Sequence, residues 1–282
     1  MSGDKSVSLV NVGELAKPAD TLIEKVSSAV GGLFRPVQLT RIAKAEAKVA
    51  LIQAKSEIEL TDLKQRAMNR FVNEEAQRQE NMESITNKAI PNLDDQSDPD
   101  QMDNDWVTNF FDKSRIVSDE EMQDLWAKVL AREANKPGSY SKRTISFLSN
   151  MDKKDAIHFQ NLCSFVWDLD GLQPLIFDLF TPIYNEHGIN FSTLSHLADI
   201  GLIKFEHISG FSKTGFPERA VVAHYGDRPL VLAGNLQKDD KLPIGHVLLT
   251  QLGKELVSVT HSPSIEGLYE YVKKKWSSHT QL

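Results

Sequence analysis

Between Val37 and Lys88 the chain runs without a single glycine or proline. Those two residues are the strongest breakers of a helix, and the stretch is filled instead with Ala, Glu, Lys, Gln and Arg, which favour one. The run is therefore read as a long helix. Its apolar positions Ile42, Ala45, Val49 and Ile52, then Leu63, Ala67 and Phe71, trace a narrow seam that Ser56 and Glu59 interrupt. A helix this long with so thin a stripe cannot be a core helix. It must pair in a hairpin, pair with another copy through a coiled-coil-like contact, or stand out as an arm.

Just before it lies a second helical pattern. Pro18 suits the first turn of a helix, where its missing N–H costs nothing. Apolar residues follow at Ala19, Leu22, Ile23, Val26, Ala29, Val30, Leu33 and Phe34, with one face in common. Asp20 and Glu24 suit the positive end of the helix dipole and Arg35 the negative end. Gly31 and Gly32 weaken the last turns and Pro36 stops the helix. The polar face is not rich in Lys or Arg, because Lys17, Lys25 and Arg35 are offset by Asp20 and Glu24. Packing against protein is therefore favoured over insertion into a lipid interface. Leu22, Ile23, Val26, Val30, Leu33 and Phe34, with Ile42, Val49 and Ile52, are the residues expected at an oligomer or membrane interface.

Charge separates the chain into regions. The net charge of −7 argues against a protein that coats nucleic acid non-specifically. Most of the excess sits between residues 94 and 150, and within it Asp94, Asp95, Asp98, Asp100, Asp103 and Asp105 crowd a short stretch with Pro99. That composition reads as a linker over 94–104. It lacks the glycine and the closing glutamate of a calcium loop. A single cysteine excludes a disulfide framework or a cysteine-rich metal module. The first residues show no secretory signal, and no stretch approaches the ~20 apolar residues needed to cross a bilayer. A cytoplasmic protein, at most peripheral to the inner membrane, is the expectation.

Beyond the acidic stretch, helical spacing returns. Trp106, Val107, Phe110 and Phe111 form one face. Ser118 to Glu121 looks like a capping box for a helix carrying Met122, Leu125, Trp126, Val129 and Leu130. Asn135-Lys-Pro-Gly138 ends that helix, and Ser141 can cap the next, carrying Ile145 and Leu148. Asp152 to Asp155 opens another, with Ala156, Phe159, Leu162, Cys163, Val166 and Trp167 on its inner face. Cys163 reads as a small core hydrophobe.

After Gly171 the pattern shifts. A helix over 191–199, capped by Asn190 or Ser192, leaves through Gly201 into Leu202-Ile-Lys-Phe-Glu206. Further strands are read at Ala220–Tyr225, Pro229–Ala233 and His246–Leu249. Leu249-Thr-Gln-Leu-Gly253 opens another helix, and a last one spans Ser264–Trp276. That order is expected of a winged-helix-like module. In the position of a DNA-reading helix lie Ser192, Thr193, Ser195 and His196, and the wing adds Lys213 and Arg219. Duplex binding needs cations on the phosphates and usually Arg, Asn or Gln on base edges, so nucleic acid is a disfavoured partner.

No catalytic, cofactor or metal pattern stands out. There is no HExxH, no phosphate-binding glycine loop and no GxSxG. His207, His224 and His246 lie on or beside strands and could converge only through the fold. Arg115, Glu120, Glu121, Arg132, Lys142 and Arg143 read as a surface ion-pair network.

Two blocks carry a family resemblance. AKPADTLIEKVSSAVGGLFRPVQLTRIAKAEAKVALIQAKSEIE and WVTNFFDKSRIVSDEEMQDLWAKVLAREANKPGSYSKRTISFLSNMDKKDA resemble the bacterial domain-of-unknown-function 2806 family. The piece Leu125-Trp126-Ala127-Lys-Val-Leu130-Ala131 is distantly similar to the abortive-infection alpha family. The resemblance implies a bacterial or prophage-borne protein with a part in anti-phage defence, and it carries across no catalytic residue.

The chain is thus expected to be mainly α with a smaller α+β part. An N-terminal helical assembly region occupies 1–93, the acidic linker 94–104, a helical block 105–170 and a winged-helix-like α+β module 171–282. The expected role is that of a non-enzymatic, self-assembling interaction protein. Its partners would be further copies of itself, with a membrane surface or a phage protein as alternatives; no cofactor is expected. A winged-helix DNA-binding regulator is the alternative.

Overall fold

A computed structural model describes residues 16–30, 62–216, 221–232, 239–260 and 262–278. Ten α-helices and eight short strands lie among them, so the described fold is mixed α+β with a helical majority. The chain forms two compact units, residues 1–150 and 151–282.

The first unit is helical. It holds α1 (Ala16–Ala29), α2 (Asp62–Ala89), α3 (Asn104–Ser114), α4 (Glu120–Asn135) and α5 (Lys142–Leu148). Trp106, Phe110, Trp126, Leu130 and Ile145 fill its centre, with Phe110 edge-on to Trp126 at 5.1 Å between ring centroids. The C-terminal half of α2 packs on α4 and buries Ile85 and Ala89. Polar side chains fasten that contact: Asn81 Nδ2 donates to the carbonyl of Arg115 at 2.9 Å, and Ser84 donates to Gln123 at 2.8 Å.

Two expectations change here. The acidic stretch 94–104 lies within this unit. It carries a 3-10 turn, Pro99–Gln101, and Pro99 and Met102 are buried. The charges of Asp94, Asp95, Asp100, Asp103 and Asp105 face solvent while the few apolar residues turn inward, an alternation that composition averages away. The cap of α4 is Asp119, not Ser118; its carboxylate accepts the Met122 N–H at 3.1 Å. Ser141 caps α5 as expected, accepting the Thr144 N–H at 3.2 Å.

The second unit begins with α6 (Lys153–Cys163) and continues through β1 (Val166–Asp168), β2 (Leu172–Pro174), α7 (Pro182–Asn185) and α8 (Phe191–Asp199). Then come β3 (Ile203–Phe205), β4 (Phe211–Lys213), β5 (Val221–Tyr225), β6 (Arg228–Leu232), β7 (Leu242–Gly245) and β8 (Val247–Leu249). Helices α9 (Gln251–Val257) and α10 (Leu268–Lys275) close it. Four antiparallel strands run in the order β2-β1-β5-β6, while β3 pairs with β8 and β4 with β7.

Val166 and Trp167, expected on a helix, lie on β1. The helix stops at Cys163 because the next residues enter a hairpin, Asp168 to Gly171. There Asp170 takes a left-handed φ of 49° and Asp168 accepts the Gly171 N–H at 3.0 Å. Trp167 pays its way in the core as a strand residue, stacked on Tyr225 at 5.1 Å and Tyr269 at 5.7 Å. The last helix is shorter than expected, starting at Leu268 after Gly267.

Candidate functional site

The interface residues expected on α1 divide by burial. Leu22 and Val26 are fully buried, Ala19 nearly so, and Ile23 and Val30 half-buried. They are covered by their own chain, since α1 lies against the Pro99–Gln101 turn and α3. Two polar contacts lie along the C-terminal half of α1. Lys25 Nζ donates to the Asp100 carbonyl at 2.9 Å, and the Thr108 hydroxyl, which donates to the Asn104 carbonyl at 2.9 Å, lies 3.4 Å from the Ala29 carbonyl. Leu33, Phe34, Ile42, Val49 and Ile52 lie outside the described residues.

The seam is different where α2 begins. Leu63 is 69% exposed and Phe71 58%, with Ala67 between them also exposed. A spacing of four residues keeps the three on one side of the helix. Ion pairs one turn apart flank them: Arg66 with Asp62 at 3.3 Å and Arg70 with Glu74 at 3.4 Å. These exposed pairs hold the helix shape while contributing little to overall stability.

In the second unit, the side chains considered for DNA reading are partly spoken for. Asn190 caps α8 by accepting the Thr193 N–H at 3.0 Å. Thr193 is buried, Ser195 half-buried and Ser192 exposed. His196 Nε2 lies 2.6 Å from Asp155 Oδ1, so the imidazole joins α8 to α6. Lys213 Nζ donates to the Leu169 carbonyl at 2.6 Å and lies 3.4 Å from Asp170 Oδ2. It pins the β1–β2 hairpin. Arg219 lies outside the described residues.

The three histidines read on or beside strands are not gathered into a metal site. His246 Nδ1 is 2.8 Å from the Glu206 carbonyl, while His224 and His207 are exposed. Among the described residues no group of three or more His, Cys, Asp or Glu is placed to hold a metal ion. Cys163 is buried, and desolvation pushes its thiol up to about 12, against an ordinary value of 9.0. That is the opposite of an activated nucleophile.

Two arrangements were not foreseen. Asp155 and His196 are 41 residues apart, with nothing local to join them. Glu133, at the end of α4, is almost completely buried. One of its carboxylate oxygens accepts the Gly138 N–H at 2.7 Å and the other the Tyr140 N–H at 3.0 Å. Trp106 Nε1 donates to the Tyr140 carbonyl at 2.9 Å, so the α4–α5 loop is clamped from two sides. A glutamate four residues before a Pro-Gly turn is the available signal for such a clamp, and it is a weak one. Of the residues read as a surface ion-pair network, Arg115 meets Asp112 at 3.1 Å and Lys142 lies 3.8 Å from Asp105.

What these features define is a helix-rich α+β protein with an apolar helix held on its own chain and a second apolar stripe left open. A family model, protein of unknown function (DUF2806), matches residues 65–273, and the chain belongs to that family. No curated protein and no solved structure matches the chain. Nothing in these comparisons supports the distant similarity to the abortive-infection alpha family. No helix among the described residues is long and apolar enough to cross a membrane.

Proposed function

We propose that the chain is a non-enzymatic interaction protein that assembles with further copies of itself through its N-terminal helices, in bacterial anti-phage defence. The observation that carries the assembly is the open stripe on α2. Leu63 and Phe71 stand more than half exposed on a helix whose C-terminal half is anchored in a core. Large apolar side chains aligned on one face lose contact with water when two such helices pair, at roughly 25 cal/mol per Å². The defence role rests on the family resemblance alone.

The test is Leu63→Glu with Phe71→Glu in the full-length protein, read by light scattering. The unaltered chain should be an oligomer and the double variant a monomer with an unchanged melting temperature. A monomeric unaltered chain would remove the proposal. Deleting residues 1–93 is a poor substitute, because it also removes Ile85 and Ala89 from the core.

A membrane contact is the narrower version, with α1 held on its seat until something frees it. The half-buried Ile23 and Val30, beside the fully buried Leu22 and Val26, suit a helix that has been covered. The winged-helix-like reading of the second unit is supported by α8, its exit through Gly201 and Leu202 into β3, the β3–β8 pair, and α9. DNA binding through that module has less behind it. His196 and Lys213 already have partners within the unit, and α8 offers no Arg or Lys.

A further inference from the structure

We infer that two copies meet through an antiparallel crossing of their α2 helices, with a two-fold axis at Ala67. The inference rests on the self-assembly proposed above and gives it a geometry. Leu63, Ala67 and Phe71 are followed 18 positions later by Asn81, Ile85 and Ala89. At 3.6 residues per turn that is about five turns, so the two triplets share one line along α2. The first triplet is open and the second is buried. Helix α4 and the turn before it lie against the buried part. Asn81 donates to the Arg115 carbonyl at 2.9 Å, and Ser84 donates to Gln123 at 2.8 Å. The open stripe therefore continues an interface that α4 fills for only part of its length.

That continuity decides the direction of the partner. Packed helices lie about 8–10 Å apart. A second α2 laid along the stripe in the same direction would run on into the space that α4 occupies beside Ile85. Reversed, it leaves α4 untouched. The stripe also fits a reversed copy of itself, because its order of large, small and large side chains reads the same both ways. About an axis at Ala67, Leu63 of each copy comes level with Phe71 of the other, and the small Ala67 side chains let the helices approach at the crossing. The flanking arginines are held on their own helix, Arg66 by Asp62 and Arg70 by Glu74. Neither cation then faces the second copy without its anion.

The experiment places a nitroxide label at Asn87→Cys, an exposed position, in the full-length chain with Cys163→Ala. Pulsed electron paramagnetic resonance reads the distance between labels. Asn87 lies 20 positions beyond Ala67. At 1.5 Å per residue on each side of the axis, the antiparallel crossing sets the labels about 60 Å apart. Parallel pairing keeps them level, on the order of 30 Å or less. The expected result is a main distance near ~60 Å that disappears when Leu63→Glu and Phe71→Glu are added. An oligomer by light scattering with a main distance below about 40 Å overturns the antiparallel crossing and leaves self-assembly standing. An oligomer whose distances survive both glutamates overturns the crossing as well. A monomer in light scattering overturns both.

Discussion

Gly253 shows how much can rest on a missing methyl group. Helix α9 approaches the α8–β3 turn so closely that a Cβ at this position would lie 2.2 Å from the Leu202 carbonyl oxygen. Thr250 holds the helix there: its hydroxyl lies 2.8 Å from the Gly201 carbonyl and 3.0 Å from that of Leu202, and it accepts the Gly253 N–H at 3.1 Å. Backbone cannot step aside as a side chain can. Gly253→Ala is therefore expected to cost about 3 kcal/mol, a fall of roughly 10 °C in the melting midpoint. An unchanged midpoint would mean that the close approach does not exist. Cys163 sets a second expectation. Its thiol has the ordinary value of 9.0 once unfolded and about 12 when buried. Below pH 9.0 both states keep the proton and the full contribution is present. Between there and about 12 only the unfolded chain releases it, so stability falls by about 1.4 kcal/mol per pH unit from this group. Burial raises Tyr225 as well, which adds a loss in the same direction. Urea melts of the Cys163→Ala variant should show a shallower alkaline decline; an identical slope would refute the assignment.

At the scale of elements, α1 and α2 make an instructive pair. Both read as amphipathic from spacing alone, yet one stripe is covered and the other is open. The difference is not in the helices but in what the turn at Pro99–Gln101 and α3 offer to α1. Leu22→Asp with Val26→Asp should release α1, because two carboxylates cannot remain in that seat without a partner. Limited proteolysis should then cut within 16–30 in the variant and spare the unaltered chain; equal cutting of both would contradict the buried seat. The strands teach the converse lesson. Phe159, Leu162, Cys163 and Val166 keep helical spacing, so periodicity carries the helix past its end. Only the pairing of Val166 with Pro174 and Trp167 with Gln173 makes the segment a strand. Strands β4 and β7, which pair across a shifted register at Phe211 and Ser212, do not announce themselves, because Phe211-Ser-Lys213 carries one apolar residue and Leu242-Pro-Ile-Gly245 carries two breakers. Helix α7, four residues opened by Pro182, is a single turn and too short to show a helical period.

Across the whole molecule, local signals were legible and long-range ones were not. Caps at Ser141 and Asn190, the stop after Asn135, and the strands near 203, 221, 229 and 247 could all be read from neighbouring residues. The Asp155–His196 pair, the Glu133 clamp and the burial of Met102 inside an aspartate-rich stretch could not, because each depends on residues that meet through the fold. The sequence by itself determined that residues 16–29 and 62–89 are helical, that apolar stripes follow Pro18 and precede Arg78, and that the later part mixes strands with helices. Those properties follow from backbone propensity and periodicity, which act over a few residues. Tertiary structure alone decided that Leu22 and Val26 would be hidden while Leu63 and Phe71 remain in water, since burial belongs to a pair of surfaces and one stretch of chain specifies only one of them.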